Sequence, residues 1–332
     1  MKIFSAKDYK TFEQVVMLNE RQVKATMSQF LKKRYGEENV MENDKFIVAK
    51  GSIPIALVAH MDTVFVSPPH EVFYDMTKNV IWSPDGLGAD DRAGIFAIIQ
   101  ILRSGLRPHI ILTTDEEVGG LGAAALAEIP CPLKDLRYCI ELDRRGANDC
   151  VFYDCNNLDF INYVEKFGFV ENFGSFSDIS LICPAWKIAG VNLSVGYMDE
   201  HSKVERLYVS HLLSTVDKVK KMLTAEDIPS FEYIAGPIYW SYSKNPLNTY
   251  WNNMESSGPI VDCVKCGKKY YEEDMFPIIL FNGDIDWVCS DCAFDEKKVD
   301  WCVICGNAFE IDPKDPDLKL CPHCFEDVMN AR

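Results

Sequence analysis

Four apolar runs of strand length constrain this chain most: IPIALVA (53–59), HIILTT (109–114), YCIEL (138–142) and VNLSVGY (191–197). Runs this continuous suit strands covered on both faces rather than strands with one wet side. Helix-like segments recur around them, at about 12–34, 91–103, 121–127, 159–167 and 209–223. Strand alternating with helix predicts an α/β domain with a mostly parallel sheet flanked by helices. The stretch EVFYDMTKNVIWSPDG reads as a short hairpin.

Each strand-like run is followed by residues able to bind a metal. His60 and Asp62 follow the first, Asp115-Glu116-Glu117 the second, Asp143 the third and His201 the fourth, while GLGADDRAG adds Asp90 or Asp91 on a glycine-bearing turn. Ligands of open α/β sheets collect beyond the carboxyl ends of the strands, so residues far apart in sequence can converge there. Taken singly, each has an ordinary explanation. A lone histidine is usually a surface or core residue, and paired acids usually start or cap a helix. Their joint occurrence, each at a strand end or helix start, is what points to a metal centre.

The ordered set AHMDTV, GLGADDRAG, TTDEEVGG, ELDRRG and GYMDEHS lies within residues 1–225. It resembles the co-catalytic dizinc exopeptidases, the family that contains peptidase T and the bacterial zinc aminopeptidases. The resemblance implies two catalytic zinc ions, with manganese or cobalt as substitutes: His60 on one, His201 on the other, Asp90 bridging, and Glu117 and Asp143 completing the two sets. It implies that Asp62 orients an imidazole and that Glu116 is the general base, acting on a hydroxide that bridges the metals. It also implies a cis bond between Asp90 and Asp91. Two Zn²⁺ would be nearly neutralised by Asp62, Asp90, Glu117 and Asp143, and oxygen and imidazole donors suit zinc. Members with a lid carry a long insertion between the positions of Asp143 and His201 or of His60 and Asp90; here only 57 and 29 residues intervene. A core without a lid is expected, with GSFSDISLI (174–182) bordering the substrate pocket and Ser175 and Asp178 as substrate-site candidates. Arg144 and Arg145, beside Asp143, are expected to pair with surface acids rather than with a substrate carboxylate.

Thirteen cysteines are present, eight of them after residue 262, in four CxxC pairs: Cys263/Cys266, Cys289/Cys292, Cys302/Cys305 and Cys321/Cys324. A CxxC knuckle puts two thiolates on one ion, so four knuckles predict two structural zinc sites in a double zinc-ribbon-like domain, residues 259–332. Pairing in sequence leaves 22 and 15 residues between knuckles, although spacing alone also permits a cross-braced arrangement. His323, inside CPHC, reads as a spacer. Metal staples are what so small a core needs in order to fold. Residues 226–258, rich in aromatics, Asn, Ser and Pro, read as a linker that packs on a neighbour.

Composition narrows the function. No apolar run approaches the roughly 20 residues of a membrane span, and the N-terminal residues lack the apolar stretch of a signal peptide, so a cytoplasmic protein is expected. The formal net charge of −16, and 8 Lys/Arg against 16 Asp/Glu in residues 258–332, argue against nucleic acid as a partner. What the resemblance implies within these limits is a zinc metallopeptidase, an aminopeptidase hydrolysing short peptides. For its tail three roles stay open, a module that binds a protein partner, a substrate-docking element or a cap on the catalytic domain, with the aromatic linker, Trp287 and Trp301 as contact surfaces. The alternatives are a dizinc amidohydrolase that removes N-acyl groups and a non-catalytic adaptor working through its zinc ribbons.

Overall fold

The computed structural model describes residues 4–235 and, further on, 260–271, 275–289, 292, 299–301, 308–312, 318 and 320–325. The chain divides into two compact units, Met1–Ser241 and Tyr242–Arg332.

The large unit holds β1 (Val40–Glu42), β2 (Phe46–Ala49), β3 (Ile53–His60), β4 (Phe73–Asp75), β5 (Val80–Trp82), β6 (Pro108–Thr113), β7 (Tyr138–Arg144), β8 (Asp149–Val151), β9 (Val170–Glu171), β10 (Gly190–Ser194), β11 (Tyr197–Met198) and β12 (Arg206–Tyr208). Its α-helices are α1 (Ala6–Val16), α2 (Glu20–Tyr35), α3 (Ala89–Arg103), α4 (Leu121–Ala127), α5 (Leu158–Glu165), α6 (Ile179–Trp186) and α7 (Val209–Leu223). Eight strands form one sheet in the order β1-β2-β6-β3-β7-β10-β8-β9. Its centre, β6-β3-β7-β10, is parallel; at one flank β1 pairs antiparallel with β2 and β2 with β6, and at the other β8 pairs antiparallel with β10 and parallel with β9.

Every residue of β6, and six of the eight in β3, is buried, because apolar cores lie on both faces of the sheet. One core includes Phe12 of α1, Phe96 of α3, Phe160 of α5 and Val216 of α7; the other includes Leu126 of α4 and Ile182 of α6. This layering accounts for apolar runs without alternation.

Two expected elements are divided. The helix anticipated over 12–34 is two helices, because Asn19 accepts the N–H of Gln22 at 2.9 Å while the Gln22 side chain accepts the N–H of Asn19, a capping box that starts α2 afresh. The run VNLSVGY splits at Gly196, φ 98°, into β10 and β11. A Cβ there would lie 2.7 Å from the Tyr208 carbonyl oxygen, so the close crossing excludes larger residues. β11 then joins a second sheet, β11-β12-β5-β4, which contains the hairpin expected within 71–86. Residues 226–235 pack on the large unit: Phe231 is buried in the first core, and Ile188 bridges to Glu232 and Cys155 to Ala235. Residues 236–259 of the aromatic-rich segment lie outside the described residues.

In the small unit, β13 (Ile260–Asp262) pairs with β14 (Lys269–Tyr271). A four-stranded sheet follows in the order β16-β15-β18-β17, from β15 (Met275–Ile279), β16 (Ile285–Cys289), β17 (Val299–Trp301) and β18 (Ala308–Glu310). Ile278, Val288, Val299 and three cysteines form one miniature core, against which Trp287 packs half-buried. The Trp301 side chain lies outside the described residues. No helix among the described residues is long and apolar enough to cross a membrane.

Candidate metal centre

The site is assembled at the carboxyl ends of the parallel strands. β3 ends on His60, which is fully buried and pairs with Thr113 of β6, and Asp143 stands near the end of β7. Asp90 lies on the turn before the regular part of α3, Glu117 in the loop after β6, and His201 in the loop between β11 and β12. His201, at φ 60°, takes a left-handed conformation uncommon outside glycine, as functional residues sometimes do.

Two donor groups result, and they share one carboxylate. His60 Nε2 lies 3.1 Å from Asp90 Oδ1 and 3.5 Å from Asp143 Oδ1. His201 Nε2 lies 3.2 Å from Asp90 Oδ2 and 3.1 Å from Glu117 Oε2. Within each triad, His60–Asp90–Asp143 and Asp90–Glu117–His201, the ligand atoms all fall within 4.8 Å of one another. Asp90 thus turns one oxygen to each triad. The peptide bond between Asp90 and Asp91 is cis. Asp91 does different work: its Oδ1 accepts the N–H of Gly94 at 2.8 Å and caps α3.

Asp62 lies behind these groups. Its Oδ1 is 3.2 Å from His60 Nδ1, and its two oxygens accept the N–H groups of Glu116 and Glu117 at 3.1 and 3.0 Å. Asp143 is held by residues that sequence reasoning had not singled out. Tyr197 donates its hydroxyl to Oδ1 at 3.0 Å, Ser177 donates to Oδ2 at 3.1 Å, and Asn192 bonds the Asp143 backbone through both its amide atoms. Tyr197 lies inside the GYMDEHS segment and Ser177 inside GSFSDISLI, so proximity to those motifs was the available signal. Ser175 is exposed in the loop before α6. Asp178 is buried, accepts the Thr113 hydroxyl and makes no helix-capping bond. Arg145 pairs with Glu200 at 2.7 Å, and Arg144 donates to the Phe173 carbonyl at 2.8 Å.

The electrostatics are those of a crowded anionic cluster. Burial pushes Glu116 up to about 9 and Asp143 up to about 7, and neighbouring acids add to the rise. His201 rises to about 11 through its hydrogen bonds to Asp90 and Glu117. Burial alone would lower His60, but Asp143, Asp62 and Asp90 outweigh it and raise it well above its ordinary value. Glu117 Oε1 is buried without a hydrogen-bond partner, an acceptor left over inside the cluster. Two imidazoles and three carboxylates, one of them shared, fit a pair of borderline divalent ions such as zinc.

In the small unit, Cys263, Cys266, Cys289 and Cys292 bring their sulfurs within 4.8 Å of one another, so the first knuckle meets the second. The Cys289 N–H donates to Cys263 Sγ at 3.3 Å. Cys321 and Cys324 are buried in a neighbouring core with Phe309, whereas Cys302 and Cys305 lie outside the described residues. His323 Nε2 donates to the Gly283 carbonyl at 2.7 Å.

No protein-family model matches the chain, and no curated protein matches it by sequence. Solved structures do. An aminopeptidase PepT from Bacillus cereus superposes with a TM-score of 0.50 at 16% identity, covering 64% of this chain and 96% of that one. A tripeptidase from Staphylococcus aureus gives 0.51 at 15% over 64% and 96%, and a TET aminopeptidase from a marine sediment thaumarchaeon gives 0.54 at 14% over 68% and 98%. The large unit has the fold of these exopeptidases. At such identities the likeness speaks for the fold, and the site's chemistry must carry the rest.

Proposed function

We propose that this chain is a dizinc metallopeptidase, an aminopeptidase that removes residues from short peptides. The observation that carries the reading is the shared carboxylate: Asp90 turns one oxygen toward the His60–Asp143 pair and the other toward the Glu117–His201 pair. In this reading these five residues hold two zinc ions, with manganese or cobalt as substitutes. When bound, such a pair supplies Lewis acidity toward the scissile carbonyl and makes water acidic enough to react near neutral pH.

The remaining chemistry belongs to the protein. Asp62 accepts the Nδ1 proton of His60 and so turns Nε2 toward the cluster. Glu116 takes a proton from the attacking water on its carboxylate and delivers it to the departing amine. Burial raises the pKa of Glu116, so the ionised form that a base requires would depend on positive charge held beside it by the five donor residues. Val118, Phe173 and Phe176 are exposed on the loops that carry Glu117 and Ser177, and in this reading they would offer apolar contact to an uncharged substrate side chain.

An N-acyl hydrolase would need a cation to meet a free carboxylate. Arg144 and Arg145, the arginines next to Asp143, are engaged with Phe173 and Glu200, which favours the aminopeptidase reading. The tail's tetrathiolate sites would be structural zinc sites and its surface a protein-binding one. Thiolate ligands persist in a reducing compartment, in keeping with a cytoplasmic location.

The experiment is metal analysis of the full chain and of His60→Ala beside a screen of free-amine and N-acylated peptides. The expected outcome is zinc beyond the tail's complement, reduced by the substitution, with cleavage of free-amine peptides alone. Cleavage confined to N-acylated substrates would move the assignment to the deacylase. A metal content untouched by His60→Ala, with no hydrolysis, would leave the first domain a scaffold.

A further inference from the structure

The turn that delivers Asp90 has a holder from a distant part of the chain. Gly88, in the left-handed region at φ 67° and ψ 32°, occupies the cap position of α3 but has no side chain with which to cap. Asp91 serves the helix proper through Gly94, which leaves the N–H groups of the preceding turn to be satisfied from elsewhere. Glu205, fully buried, fills that role: its Oε2 accepts the Gly88 N–H at 2.5 Å and its Oε1 accepts the Asp90 N–H at 3.0 Å. A carboxylate taken from water needs compensating donors, and here a single turn provides them.

Glu205 also belongs to the loop that carries His201. From that loop, His201 Nε2 meets the Asp90 side chain at 3.2 Å while Glu205 Oε1 meets the Asp90 backbone at 3.0 Å. Asp90 is therefore gripped at both ends by residues four apart. Without the backbone grip, its carboxylate would have to find the orientation that serves both triads against the freedom of a glycine-bearing turn.

We infer that Glu205 is a positioning residue for the shared carboxylate, holding the Gly88–Asp90 turn so that both Asp90 oxygens are set for metal before metal arrives. The inference rests on the dizinc reading. Its consequence is an effect on metal affinity separate from any effect on folding.

The test is competition titration of cobalt against a chelator on the full chain after metal removal. The imidazole and carboxylate sites are followed by visible bands distinct from the thiolate-to-metal bands of the tail. Glu205→Ala should weaken cobalt binding at these sites by about tenfold to a hundredfold, the usual cost of losing a group that orients a ligand. Glu205→Gln, with one accepting oxygen left, should fall between that variant and the parent, and it carries the test if the alanine variant does not fold. Asn157→Ala is the control for stability alone: it removes the cap of α5, whose Phe160 packs on Tyr138 at the start of β7, the opposite end from Asp143. It should lower the melting temperature and leave cobalt affinity unchanged. Parent-like affinity in folded Glu205 variants, or an equal loss in the control, overturns the inference alone. A parent chain that binds no cobalt outside the thiolate sites overturns the dizinc reading and this inference with it.

Discussion

Asp62 touches His60 and the loop of the two adjacent glutamates at once: Oδ1 lies 3.2 Å from His60 Nδ1 and accepts the Glu116 N–H at 3.1 Å, while Oδ2 accepts the Glu117 N–H at 3.0 Å. One carboxylate thereby sets the tautomer of a donor imidazole and the register of both glutamates. Asp62→Asn keeps the shape but forfeits one accepting oxygen. Metal affinity at the His60 triad should fall by about tenfold to a hundredfold, measured by chelator competition. An unchanged affinity would show that imidazole orientation does not depend on this carboxylate.

Glu116 is half-buried beside the donor groups without belonging to either triad. Glu116→Gln should keep the metal content of the parent while the turnover number drops by at least about a hundredfold, as removal of a general base does. Metal analysis paired with steady-state kinetics checks both halves. Substantial turnover in a fully loaded variant would remove Glu116 from the role of base.

The two kinds of donor set should release metal in a fixed order. Graded chelation should strip the imidazole and carboxylate ions, and with them activity, before the tetrathiolate ions. Replacing Cys263 and Cys266 together by serine should remove one zinc from the total, read by elemental analysis. Release of the tail's zinc first, with activity intact, would contradict the order.

His109 provides a pH dependence away from the metal centre. Its Nδ1 accepts the Gly51 N–H at 3.0 Å, and burial lowers its pKa below the ordinary value of 6.5. Above that value both folded and unfolded chains hold the ring neutral, so His109 adds no pH dependence to stability. As pH falls through the unfolded pKa, the unfolded chain takes up the proton first and stability is lost. Denaturant unfolding of the metal-free chain should thus weaken between pH 7 and pH 5 by more than in His109→Asn. Parallel pH curves for the two proteins would mean that the ring is protonated equally in both states.

The fold class was legible in the sequence, and so were the side chains that the structure brings together in two triads, because each rests on local signals. A strand buried on two faces must be apolar throughout, as in β3 and β6, and metal donors must be His, Asp, Glu or Cys whatever surrounds them. The helices Leu121–Ala127 and Val209–Leu223 match the sequence reading for the same reason. The break before α2 was also written locally, in Asn19 and Gln22, but a continuous helical pattern on either side concealed it.

By itself, then, the sequence determined the α/β core, the metal-type residues at its strand ends and on the turn before α3, and the four CxxC pairs as a pattern. These follow from hydrophobic period and donor chemistry, which are properties of short stretches. The family resemblance had singled out Asp90 of the Asp90-Asp91 pair, and only the tertiary structure gave Asp91 its own place, capping the helix through Gly94. It alone joined the first knuckle to the second, set Tyr197 and Ser177 on Asp143, and brought Glu205 under the Gly88–Asp90 turn. Those contacts span tens of residues or more and are meetings of thiols or hydrogen bonds to backbone or to single carboxylate oxygens. No periodicity records them, because they exist only once the sheet has brought its strand ends together.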